Sequence, residues 1–334
     1  MKRMFVAVGV VLAGAALGAD PAFKVVNKIK IGGTNGWDYV YVDSAAQRLY
    51  VSHTAQVEVI DLQKMALVGK IPDTTGVHGI AIAPDLGRGF TSNGRDNSVT
   101  IFDSKTLAFI AKTPVGMNPD AILYEPSTKR VFTFNGNSKD ATVLDAKDGK
   151  VVATIPLGGK PEFSQTNRKG TVWVNIEDTA EIVELDAAKA SVTKRYSLAP
   201  CEDPTGLAID ASATHLFSAC SNKMVAVSEP KTGKVIASPA IGAGSDGIAY
   251  DDGMVFTSNG GDGTMTVIVE KASKYSVLET VPTLRTARTI GVDPKTHRLF
   301  LPAAESGPPA VGKDGKQGRP TLLPDSFSVL VVSR

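Results

Sequence analysis

The sequence predicts an all-β fold, a single seven-bladed β-propeller with four antiparallel strands per blade, and three observations carry that reading. One phrase recurs seven times: a short apolar run, a Pro/Asp/Gly turn, a second apolar run, a polar loop, and a third run that commonly ends in Asp. The heads of the first runs are Asp38, His78, Asp120, Glu162, Thr205, Asp246 and Arg288, spaced by 40, 42, 42, 43, 41 and 42 residues. A fixed period in this range, holding four short strands, is the arithmetic of a propeller blade. Apolar and polar residues also alternate, as in Leu49-Tyr50-Val51-Ser52, and nothing after the N-terminal apolar run sustains a 3.6-residue period. Almost no helix is expected.

Taken in order, residues 1–19 read as a secretory signal peptide. Lys2 and Arg3 form its positive end, residues 5–17 its apolar run, and Gly18-Ala19 its small-residue close, with cleavage expected after Gly18 or Ala19. The run is too short for a spanning helix, which needs ~20 apolar residues. The mature protein is therefore expected in the periplasm or outside the cell, with no membrane span. Residues 20–334 then form one propeller. Near its start, residues 24–33 match residues 150–159, the fourth strand of the third repeat with its following turn. The seventh repeat has no fourth strand of its own. The N-terminal segment is expected to supply it, closing the ring and leaving no unpaired blade edge at the chain ends.

The third repeat shows the unit: strands at 121–124, 130–134, 141–145 and 151–155, with Pro126-Ser127-Thr128-Lys129 and Ala146-Lys147-Asp148-Gly149 as tight turns. The fifth holds both cysteines of the chain, Cys201 just before its first strand and Cys220 ending its second. Antiparallel pairing brings these two positions to the same blade edge. A structural disulfide is the expectation, contributing ~3 kcal/mol by chain entropy; a metal-binding or reactive thiol pair is the competing reading. In the seventh repeat, residues 302–325 form an insertion rich in Gly and Pro, read either as a functional loop or as a merely mobile one.

Composition narrows the partners. A 43% hydrophobic chain of 334 residues can bury a core, while 6% aromatic content argues against a stacking platform for nucleic acid. The formal charge of +2 falls to about zero once Lys2 and Arg3 leave with the signal. Such a surface has no bulk attraction for polyanions, so nucleic acid is not an expected partner. A monomer that binds a small molecule or a periplasmic protein is expected.

In a propeller all first strands run the same way, so their heads form a ring around the axis on one face. Here that ring carries Asp38, His78, Asp120, Glu162, Asp246 and Arg288. Trp37, His53, Asn93, Asn135, Asn175, Asn222, Asn259 and Asp262 are expected beside it. The eight candidate ligand-binding residues are thus Trp37, Asp38, His53, His78, Asp120, Glu162, Asp246 and Arg288. Carboxylates and imidazole suit a divalent cation, with His78, Asp120 and Glu162 as the candidate ligands; a hydrated mouth without a ligand is the competing reading. His53 and His78 occupy adjacent blades and are candidates to approach one another. Trp37 offers either a stacking surface or blade-to-blade packing, and Trp173 reads as core. Gly242-Ala243-Gly244-Ser245-Asp246-Gly247 fits G-x-G-x-x-G but leads into a strand, which rules out a dinucleotide site. No catalytic motif is present, and no catalytic residue is assigned.

Arg48-Leu49-Tyr50-Val51-Ser52, Val57-Glu58-Val59-Ile60-Asp61 and residues 149–156 resemble the repeat of the bacterial YVTN β-propeller family. The likeness is strong in repeats one to three and weaker in four and five, where residues 171–175 and 215–219 depart from the tetrapeptide. The resemblance implies an exported seven-bladed propeller, and its signature residues are structural ones. The leading functional expectation is a non-enzymatic binding or scaffold propeller. The alternative is a metal-dependent, lactonase-like hydrolase or lyase with a divalent ion on the acidic rim.

Overall fold

The computed structural model describes residues 22–33, 36–272, 274–311 and 317–334, so the expected signal peptide lies outside the described residues. Seven four-stranded antiparallel sheets follow one another, six of them in simple sequence order. Strands are called a to d from the axis outward. Blade 1 comprises Val40–Asp43, Arg48–His53, Gln56–Asp61 and Ala66–Ile71, and blade 3 comprises Pro119–Glu125, Arg130–Asn135, Asp140–Asp145 and Val151–Pro156. Among the described residues the only helical element is the single turn Pro84–Leu86, which Gly87 closes in the left-handed region.

Blade 7 closes the ring as its sequence demands. Strand a (Gly291–Asp293), strand b (Arg298–Ala303) and strand c (Ser328–Ser333) come from the C-terminal region, and Lys24–Lys30 pairs antiparallel with strand c from Lys24 opposite Ser333 to Lys30 opposite Ser328. Phe23, just ahead of that strand, is buried with its ring edge-on to Phe256 of blade 6 at 5.3 Å. The N-terminus therefore ties two blades together.

The insertion differs from its expectation. Pro302 and Ala303 still belong to strand b, opposite Val329 and Ser328, because the blade register runs on through them. Beyond them the chain folds into a two-stranded hairpin, Ser306–Val311 with Gln317–Leu322. The cysteines form the expected bond, with Cα atoms 5.5 Å apart.

The core lies between neighbouring blades, where aromatic side chains of strands b and c interleave. Tyr50, Phe90, Phe102, Phe132, Phe134, Phe217, Phe256 and Phe300 are all sealed from solvent. Burying one such ring contributes about 1.5–3 kcal/mol, so the ring of blades is held mainly by these contacts. Among the described residues no helix is long and apolar enough to cross a membrane.

Candidate functional site

Several strand-a heads are fixed by hydroxyl and amide side chains near the end of a strand b or beside a neighbouring head. In blade 1 the Asp38 amide donates to Ser52 Oγ at 2.8 Å, and from blade 7 the Thr289 hydroxyl donates to the Asp38 carbonyl at 2.6 Å. In blade 2, Ser92 Oγ accepts from the Gly79 amide and donates to the carbonyl of Asp120 in blade 3. Asn175 Nδ2 donates to the Thr205 carbonyl at 2.9 Å, and the Ser258 hydroxyl to the Arg288 carbonyl at 2.6 Å. Four of these six bonds run from blade to blade, so the rim is positioned in part by the contacts that assemble the propeller.

On that frame the rim charges fall into two arcs. In the first, Arg288 pairs with Asp246, lies 3.4 Å from Asp38 Oδ1, and donates to the Trp37 carbonyl at 2.8 Å. In the second, Lys160 bridges Glu162 and Glu177. Between them His78 Nδ1 donates to Asp38 Oδ2 at 2.6 Å and lies 3.7 Å from Asp120 Oδ1. Asp120 is buried, and its Oδ1 has no hydrogen-bond partner. Ligand atoms of Asp38, His78 and Asp120 all lie within 4.8 Å of one another.

The electrostatics follow from this crowding. Burial, then the charge of Asp38, pushes the Asp120 carboxyl up to about 6. Burial, then the charge of Asp120, also raises Glu162. Burial disfavours the His78 imidazolium, but the bond to Asp38 and the charge of Asp120 outweigh it and raise the imidazole above its ordinary value. Tyr39 sits beneath the rim, buried and edge-on to Phe163 at 5.0 Å; burial and all four rim carboxylates hold its hydroxyl protonated.

Of the eight candidate residues, Asp38, His78, Asp120, Asp246 and Arg288 form one connected cluster. Glu162 is on the rim but engaged by Lys160, and it is absent from the group of three that converges. Trp37 and His53 are placed elsewhere. Trp37 is buried and stacked on Phe327 at 4.7 Å, which is blade packing; only its carbonyl reaches the rim. His53 is also buried, with Nδ1 on Glu58 at 3.0 Å and its ring against Phe327 at 4.7 Å, while His78 turns to Asp38. The two histidines thus have separate partners.

Of the five asparagines expected beside the rim, Asn93, Asn135, Asn175 and Asn259 are internal, and Asn222 is exposed. Asn93, Asn135 and Asn259 are sealed at the end of strand b, and each bonds two residues of strand c and one of its own strand. Sequence reasoning missed Lys160, Glu177 and Tyr39. A signal was available for the first: Lys160 stands two residues from Glu162, on the d-to-a loop that faces the axis.

No known family pattern matches the chain, and no curated protein is similar to it in sequence. A solved structure of Kuenenia stuttgartiensis hydrazine synthase is similar in fold, with a TM-score of 0.71 over 86% of this chain and 96% of that one. At 14% identity the likeness speaks for the propeller fold alone.

Proposed function

We propose that this chain is an exported binding propeller whose axial mouth receives a cationic polar ligand, with a divalent metal ion held by Asp38, His78 and Asp120 as its specific form. One observation carries the reading: Asp120 Oδ1 is buried without a partner, facing an imidazole and a second carboxylate. A buried carboxylate oxygen left unbonded costs about 1–3 kcal/mol or more, and a cation in the trio would remove that cost. One imidazole and two carboxylates suit a borderline ion such as Zn2+ or Mn2+. The Nδ1 proton that now bridges His78 to Asp38 would leave on binding. Arg288 supports the arrangement by engaging Asp38 Oδ1 and leaving Oδ2 for the site. The resemblance to YVTN repeats and the disulfide, a feature of oxidising compartments, support an exported protein.

A hydrolase reading depends on the same ion, which in a three-ligand site would keep positions open for water and substrate. Thermal melting in millimolar Zn2+, Mn2+, Ca2+ or Mg2+ tests the binding claim. Binding at 100 times Kd would add ~2.7 kcal/mol to stability; a melting curve that no divalent ion moves would sink it. Lactone hydrolysis by the metal-loaded protein would decide for the enzyme.

A further inference from the structure

Below Tyr39 the central channel opens into a cavity of about 340 Å³. This lies at the lower end of the range of small-molecule sites, about 300–1,000 Å³. It is distinct from the acidic mouth: Tyr39 meets the four rim carboxylates above and, with Phe163, lines the cavity below. Its wall comes from the a strands of blades 1 to 5 and is mainly apolar, with Ile80, Ile82, Ala121 and Leu123 among its residues. It extends to the opposite face, where the a-to-b turns supply Pro84 and Arg168.

The polar groups at that end are few and specific. Among the described residues the Arg168 side chain has no ion pair or hydrogen bond, although its backbone amide donates to Thr166 Oγ1 at 2.9 Å. It shares the cavity wall with Tyr41 and Tyr124. Tyr124 is committed, donating to Asp85 at 2.8 Å, whereas the Tyr41 hydroxyl has no protein partner among the described residues. Gln165 spends its amide N–H on the Leu207 carbonyl at 2.9 Å, which leaves its own carbonyl oxygen available. An uncommitted guanidinium and phenol at the end of an apolar chamber fit a carboxylate with a hydrocarbon or aryl tail.

We infer that this cavity binds a small amphipathic organic anion, its tail against Ile80, Ile82 and Leu123 and its carboxylate between Arg168 and the Tyr41 hydroxyl. The claim is independent of the metal proposal, because it uses other residues on the other side of Tyr39.

Octanoate is a suitable probe, measured by calorimetry on the mature protein at pH 7.5, with octylammonium as the charge-reversed control. Octanoate should bind and octylammonium should not. Arg168→Gln, an exposed substitution with no structural bond to break, should weaken octanoate about tenfold, the loss expected for one charge-assisted hydrogen bond. Leu123→Trp should crowd the wall where the tail lies and weaken octanoate binding, with circular dichroism and melting confirming that the variant is folded. Absence of octanoate binding, equal or tighter binding of octylammonium, or affinity unmoved by Arg168→Gln would each overturn the assignment.

Discussion

Two rings of side chains run around this propeller a few residues apart, the ends of the b strands and the heads of the a strands, and they behave differently. In blades 2, 3 and 6 the b-strand end is Asn93, Asn135 or Asn259, each sealed and bonded to a hydroxyl two residues earlier and to strand c. Blade 1 fills the same register position with His53 bonded to Glu58, and blade 5 with Cys220 bonded to Cys201. The chemistry changes, but the task of fastening strand b stays. The a-strand heads have no such common task. They carry acids, a histidine and an arginine with unequal pairing: Arg288 serves Asp38 and Asp246, Lys160 serves Glu162 and Glu177, and Asp120 is left with a bare oxygen. Side chains that repeat with the fold hold it together, and the unmatched charge at the a-strand heads is where we place the proposed site.

Three changes to the chain separate the rings. Deleting residues 23–31 should have the largest effect, because blade 7 loses its outer strand and blade 6 loses the Phe23 contact. The truncated protein should show no cooperative melt; one that melts like residues 20–334 intact would refute the closure. Asn135→Ala comes next. It strips a partner from the buried Thr133 and Thr142 and from the half-buried Asp140, at about 1–3 kcal/mol for a buried group left unbonded. Urea denaturation should register that loss at any pH near neutrality.

Asp120→Asn should act with the opposite sign. Because burial and Asp38 raise this carboxyl to about 6, the folded state holds its proton more tightly than the unfolded chain does. The stability it lends is full below the unfolded value of about 4 and is lost as pH rises through 6. Without divalent ions the Asn variant should therefore be the more stable at pH 8, by no more than about 3 kcal/mol, and should match the parent near pH 4. Equal loss of stability at both pH values would place Asp120 with the structural ring.

Much of this division was legible in the sequence. The forty-residue period gave the blades, the match of residues 24–33 to 150–159 gave the closure, and the positions of Cys201 and Cys220 gave the bond. The a-strand heads could be named because they begin each repeat. Orientation was not legible. Asn93, Asn135 and His53 precede polar loops, and period alone does not say that their side chains turn inward onto strand c. Trp37 neighbours Asp38, yet it packs on Phe327, almost three hundred residues away in sequence. The pairing of charges was hidden for the same reason: Arg288 meets Asp38 only because the ring closes blade 7 on blade 1.

The central claim is that Asp120, with Asp38 and His78, holds a cation while Asp246 is paired with Arg288 and Glu162 with Lys160. Electron paramagnetic resonance of Mn2+ titrated into residues 20–334 at pH 7.5 reads it most directly, since bound and free ion give different signals. The account predicts one ion bound per chain, lost in Asp120→Asn and largely kept in Glu162→Gln, whose partner Lys160 already supplies the positive charge. An Mn2+ signal that stays free with the parent protein, or binding lost equally in both variants, would contradict it.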